Sequence, residues 1–168
     1  YEYNNPREDR ILSWDFTIEN GEFSVGPATV LGNPTLYQVE SIQADKYYQT
    51  LLVAEEMKEH HKVMALDLMT GEVIKEDLGN FDRGNDPEGI ALVVNKNNNG
   101  YWICTEQSKT DNRFHLYDRK TLEYMTTMYL DNVSYTDGIA TAYMHGKWFL
   151  YAVDNDARIV AFELPEIN

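Results

Sequence analysis

The run Pro87-Glu88-Gly89-Ile90, followed by Trp102-Ile103-Cys104-Thr105-Glu106 and Arg113-Phe114-His115-Leu116-Tyr117-Asp118, is one of three versions of the same pattern. The version before it runs Val39-Glu40-Ser41-Ile42, then Leu52-Val53-Ala54-Glu55-Glu56, then Lys62-Val63-Met64-Ala65-Leu66-Asp67. The version after it runs Thr136-Asp137-Gly138-Ile139, then Leu150-Tyr151-Ala152-Val153-Asp154, then Arg158-Ile159-Val160-Ala161-Phe162-Glu163. The opening acid moves from Glu40 to Glu88 to Asp137, a period of roughly 48–49 residues of the kind that marks repeat arrays. Helical periodicity is absent. Strand-length apolar or alternating runs lie between Asn, Gly and Asp clusters, which predicts an all-β chain. Strands are expected at 11–18, 41–47, 50–55, 62–68, 90–95, 100–105, 113–117, 138–143, 148–153 and 159–164. Turns are expected at Asn20-Gly21, Thr70-Gly71-Glu72, Asn97-Asn98-Asn99-Gly100 and His145-Gly146-Lys147.

Each repeat has room for up to four strands, a to d from the inside out, which is the plan of a β-propeller blade. Residues 1–35 read as the end of one blade, joined at Asn20-Gly21; 36–82 and 83–132 read as whole blades, and 133–168 as an incomplete last one. That makes about three and a half blades, about half of a six-bladed ring. An open stack leaves bare sheet faces. The expectation is therefore a missing N-terminal half of the propeller, or a partner chain, that completes the ring.

The chain has 168 residues and a net charge of −14, from 14 Lys and Arg against 28 Asp and Glu. Nucleic acid and anionic membrane surfaces call for basic patches, so neither is an expected partner. No apolar run is long enough for a transmembrane helix. With 43% hydrophobic residues the chain is not a disordered acidic tail. One cysteine, Cys104, excludes an internal disulfide framework and a Cys-rich zinc site.

Glu40, Asp86, Glu88 and Asp137 all fall where strand a opens, at the channel of a propeller. A second acidic set, Glu55, Glu56, Glu106 and Asp154, follows strand b. Carboxylates converging on one mouth raise one another's pKa unless a cation neutralises them. Calcium suits such a site, because it takes several oxygen ligands in flexible geometry. For any single acid the plain reading is a solvated rim; a set in register across three repeats points to metal.

At these residues the chain resembles the β-propeller phytases, secreted calcium-dependent enzymes that release phosphate from myo-inositol hexakisphosphate. The resemblance runs from about residue 36 onward. It rests on Asp86-Pro87-Glu88-Gly89-Ile90, Gly100-Tyr101-Trp102-Ile103, Gln107-Ser108, Phe114-His115-Leu116-Tyr117-Asp118, Tyr135-Thr136-Asp137-Gly138-Ile139 and Val53-Ala54-Glu55-Glu56. It implies a calcium cofactor, a phosphorylated small-molecule substrate and a secreted or periplasmic location. It implies that Glu40 and Glu88 are catalytic, and that Glu40, Glu55, Glu56, Asp86, Glu88 and Asp137 form the metal set, with Glu55 or Glu56 as the further ligand from strand b. The implied mechanism is in-line attack by a water that the calcium ions activate. Gln38, Ser41 and Tyr135 depart from the family pattern by removing acids or a glycine. These departures keep open an alternative, a non-catalytic, calcium-stabilised propeller that serves as a binding or assembly module; another metal-assisted propeller hydrolase, such as a lactonase, is a third reading.

Arg83, just before Asp86, is the candidate substrate-phosphate contact, although a loop ion pair is its plainer role. Lys62, Arg113 and Arg158 share one position at the start of strand c and are expected to pair with acids. His60-His61 reads as a solvated turn, Cys104 as a buried inert thiol, and Trp14, Trp102 and Trp148 as packing between blades.

Overall fold

The structure is a computed structural model that describes residues 9–32, 34–82, 84–110 and 112–165. Arg83 lies outside the described residues. Among those described, the chain is all-β with a single 3₁₀ turn at Lys96–Asn98. The strands are β1 (Leu12–Glu19), β2 (Glu22–Val30), β3 (Val39–Asp45), β4 (Thr50–Glu55), β5 (Lys62–Asp67), β6 (Val73–Lys75), β7 (Asp86–Val94), β8 (Gly100–Gln107), β9 (Arg113–Asp118), β10 (Tyr124–Tyr129), β11 (Ile139–Met144), β12 (Lys147–Asp154) and β13 (Arg158–Glu163). They form four antiparallel sheets, each in chain order: β1–β2, β3 to β6, β7 to β10, and β11 to β13. No helix among the described residues is long and apolar enough to cross a membrane.

The turns follow from local chemistry. Glu19 pairs with Glu22 across Asn20-Gly21, both at positive φ (52° and 83°), the backbone of a tight hairpin turn. His145-Gly146 repeats the device, at 52° and 84°, between Met144 and Lys147. A third device closes β5 to β6 and β9 to β10. Asp67 Oδ1 accepts from the amides of Met69 and Thr70 and from the Thr70 hydroxyl, at 2.8–3.1 Å. Asp118 Oδ1 does the same with Lys120 and Thr121, at 2.7–3.0 Å. The Thr70 and Met69 amides hold the Asp67 carboxyl below its ordinary pKa.

Alternation along the strands sends side chains to both faces of the inner sheets. Leu52 and Ala54 of β4 meet Ile90, Trp102, Cys104 and Tyr117 of the next sheet. Leu51 and Val53, pointing the other way, join Ile11, Leu36, Met64 and Leu66. Tyr101 and Ile103 of β8 face Leu150 and Ala152 of β12. Trp102 and Ile103 are both fully buried on opposite faces of one strand. Each such side chain contributes about 1.5–3 kcal/mol through burial. Cys104 is buried and free, and burial pushes its thiol far above the usual range.

The first strands of successive sheets run alongside one another, with β7 against both β3 and β11. Ser41 Oγ donates to the carbonyl of Glu88. Gly89 is needed because a Cβ there would lie 2.8 Å from the Ile139 nitrogen. Glu88 thus stands between Glu40 of one sheet and Asp137, just before β11.

Three expectations change. β7 begins at Asp86, not at residue 90, because a bulge between Pro87 and Ile90 lets the acidic turn join the strand. Trp14 does not pack between sheets: the β1–β2 hairpin is exposed along its whole length, and Trp14 is 50% exposed. Trp102 and Trp148 do pack between sheets. The His60-His61 turn is not simply solvated. The His61 ring is buried, and its Nε2 lies 3.1 Å from Asp86 Oδ1; His60 stacks on Tyr37 with ring centroids 4.0 Å apart.

Candidate metal centre

Antiparallel sheets with their strands in chain order bring all strand-a openings to one end, where the acids meet. Glu88 is 4% exposed, and its Oε2 is buried without a hydrogen-bond partner. Burial first, then the charges of Glu40, Glu56, Asp137 and Asp86, push its pKa up to about 9. Glu56 is pushed up to about 7 by burial, by a hydrogen bond shared with Glu40 and by Glu40's charge, while Gln38 works against the shift. Asp137, which is exposed, is raised by what burial it has and by the charges of Asp156 and Glu40, against a hydrogen bond from Gln107 Nε2. Glu40, Glu56, Asp86, Glu88 and Asp137 therefore share one field of like charge.

Glu55 sits differently. It is fully buried, and it accepts from the amides of Tyr37 (2.5 Å), Gln38 (2.7 Å) and Met57 (3.0 Å). Both oxygens are engaged by the loop that precedes β3. Glu106 holds the corresponding loop of the next sheet, through the Asp82 amide at 3.2 Å and Asn85 Nδ2 at 2.6 Å. It also bonds His115 Nε2 at 2.7 Å and Arg113 at 3.3 Å. Burial alone would raise the Glu106 carboxyl, but His115, Asn85 and the Asp82 amide hold it below its ordinary value. Asp154 holds the third loop, through the Ser134 amide at 3.0 Å, and pairs with Arg158 at 2.6 Å. The strand-c cations behave as expected: Arg113 and Arg158 reach these acids, while Lys62 pairs with Glu76.

Sequence reasoning missed two members of this neighbourhood. Gln38 donates from Nε2 to Glu56 Oε2, so the residue read only as a lost acid orients a retained one. His61 enters beside Asp86 from the β4–β5 turn. Neither carried a signal beyond its closeness in sequence to Glu40 and Glu56.

Among the described residues, no three His, Cys, Asp or Glu side chains stand close enough to form a metal cage by themselves. The donor chemistry nevertheless fits a hard divalent cation. The donors are carboxylate oxygens, one is buried and unpartnered, and their mutual repulsion is what a cation relieves. Such cations complete their shell with water and substrate phosphate.

A family model described as Phytase matches residues 17–147, most of the chain. No curated protein matches.

Proposed function

The chain belongs to the phytase family, and from that premise we propose that the acidic mouth hydrolyses phosphomonoesters, with calcium as cofactor and myo-inositol hexakisphosphate as substrate. The observation that carries the reading is Glu88, buried among four like charges with an oxygen that no protein group satisfies. Glu40, Glu56, Asp86, Glu88 and Asp137 would hold the cation. When bound, calcium supplies charge neutralisation at the phosphate and a more acidic water.

The protein's own residues prepare that event. Glu88, its pKa pushed up to about 9 by burial and neighbouring acids, would give up its proton in order to hold a cation. Glu56 titrates near neutrality, the range in which a carboxylate can exchange protons at working pH. Gln38 fixes the direction of Glu56 Oε2, Gln107 holds Asp137, and His61 stands against Asp86.

The four sheets are read as blades of a propeller. The apolar side chains of the β1–β2 hairpin, among them Trp14, Phe16 and Ile18, suit contact with a further blade, from the same protein or from a partner chain. A secreted or periplasmic setting, where calcium is plentiful, suits the cofactor.

The test is phosphate release from inositol hexakisphosphate by the protein and by Glu88→Gln, with calcium and with a chelator. Release that needs calcium and falls at least a hundredfold in the variant supports the reading. Release that is equal in parent and variant overturns the site. A second reading, a calcium-stabilised binding module, is favoured by the loss of an acid at Gln38. Calcium binding without release from any phosphate ester would establish it.

A further inference from the structure

We propose that Glu55 is a positioning residue of the acidic mouth and not one of its cation ligands; this rests on the metal reading above. A ligand must present free lone pairs to the ion. Glu55 spends its own on three backbone amides, two of them, Tyr37 and Gln38, in the loop that precedes β3. The loop so held carries Gln38. The Gln38 carbonyl accepts the Glu56 amide at 2.9 Å, and its side chain bonds Glu56 Oε2. Glu55 is thus tied to the cluster through one residue. Clamping Tyr37 and Gln38 fixes Glu56 from the side and Glu40 from two residues upstream.

Repetition supports the assignment. Glu106 and Asp154 occupy the same place at the ends of their strands and do the same work on the loops before Asp86 and Asp137. In those two sheets an arginine at the start of strand c also bonds the acid. In the sheet β3 to β6 Lys62 turns away to Glu76, and the clamp is made by amides, so it depends on both carboxylate oxygens. Glutamine at 55 would turn an N–H₂ group toward a backbone N–H and break half of it.

The experiment compares the protein with Glu55→Gln and with Leu116→Ala, a core change remote from the mouth that controls for general loss of stability. Glu55→Asp, which keeps the charge, replaces Glu55→Gln if that variant does not fold. Amide hydrogen exchange at residues 37–41 without metal and calcium titration below the melting temperature are the readouts. We expect faster exchange at 37–41 and roughly tenfold weaker calcium binding with unchanged stoichiometry in Glu55→Gln, the size typical of residues that orient metal ligands, and neither effect in Leu116→Ala. Loss of one bound calcium with exchange unchanged would make Glu55 a ligand and overturn the proposal. Faster exchange with calcium affinity intact would make it merely structural and overturn it equally. A parent protein that binds no calcium sinks the metal reading instead. The exchange data then decide the positioning alone, faster exchange reaching residues 39–41 supporting it and exchange confined to 37–38 overturning it.

Discussion

The sheets β3–β6 and β7–β10 meet at both ends of their inner strands, and the two ends are finished in opposite ways. At one end Asp45 and Arg119, 2% and 3% exposed, form a two-pronged ion pair at 2.6 and 2.7 Å. Arg119 also bonds the Asn98 carbonyl at 2.7 Å and lies over the rings of Tyr47 and Tyr48. Burial alone would raise the Asp45 carboxyl, but Arg119 and the Tyr47 and Tyr48 amides overcome it and hold it below its ordinary value. At the other end Glu88 is nearly as buried, yet its Oε2 has no hydrogen-bond partner and the charges that shift it are those of other acids. One end is complete within the protein; the other stores repulsion that an added cation would release.

The largest effect should come from breaking the complete end. Arg119→Met leaves Asp45 buried without its partner, and should cost about 3–5 kcal/mol in denaturant unfolding. Asp45→Asn added to it should recover a good part of the loss, and calcium binding should survive both changes. Equal losses from Arg119→Met and from the double variant would mean that the pairing itself contributes little.

A middle-sized effect should appear in the pH dependence, with opposite signs at the two ends. Glu88 titrates near 9 when folded, above its ordinary 4.5, and Glu56 near 7. Their contribution to stability is complete below about 4.5 and is lost as pH rises through those values. Asp45 and Asp118 are shifted down, so theirs is present above the ordinary 3.8 and lost on acidification. The metal-free melting temperature should therefore fall by several degrees from pH 5 to pH 9. Calcium should reverse that fall, by about 2.7 kcal/mol at a hundredfold excess over Kd. Glu88→Gln should flatten the alkaline limb and abolish the rescue. A metal-free protein that melts at one temperature throughout this range would contradict the acidic field.

The smallest effect separates both ends from the outer turns. Thr121→Val removes one hydroxyl bond to Asp118 and should cost about 1 kcal/mol or less by thermal unfolding, with calcium affinity unchanged. A change in affinity would mean that the outer strands communicate with the mouth.

Much of this was legible in the sequence because repetition exposes it. The strand expected at 50–55 is β4, and the paired turn at Asn20-Gly21 is there. β6 and β10 were not placed individually, because they are short or largely exposed outer strands with no alternating apolar signal. That Glu40, Asp86, Glu88 and Asp137 open equivalent strands could be expected from their register; Glu56 is tied to them only by the family resemblance. The split between Glu55 and Glu56 could not: alternation puts neighbours on opposite sides, but which of the two is taken by backbone amides is decided only when the loop before β3 folds against the end of β4. Nor could the Asp45–Arg119 pair, whose members lie 74 residues apart and at unlike positions of their repeats.

Cys104 gives the molecule a clock. It lies in the seam between β3–β6 and β7–β10, fully buried, its thiol kept protonated by its surroundings. A thiol reagent reaches it only when that seam parts, so the labelling rate reports how often the two sheets separate. Because the same seam ends at the acidic mouth, a cation bound there would lengthen the interval between ticks.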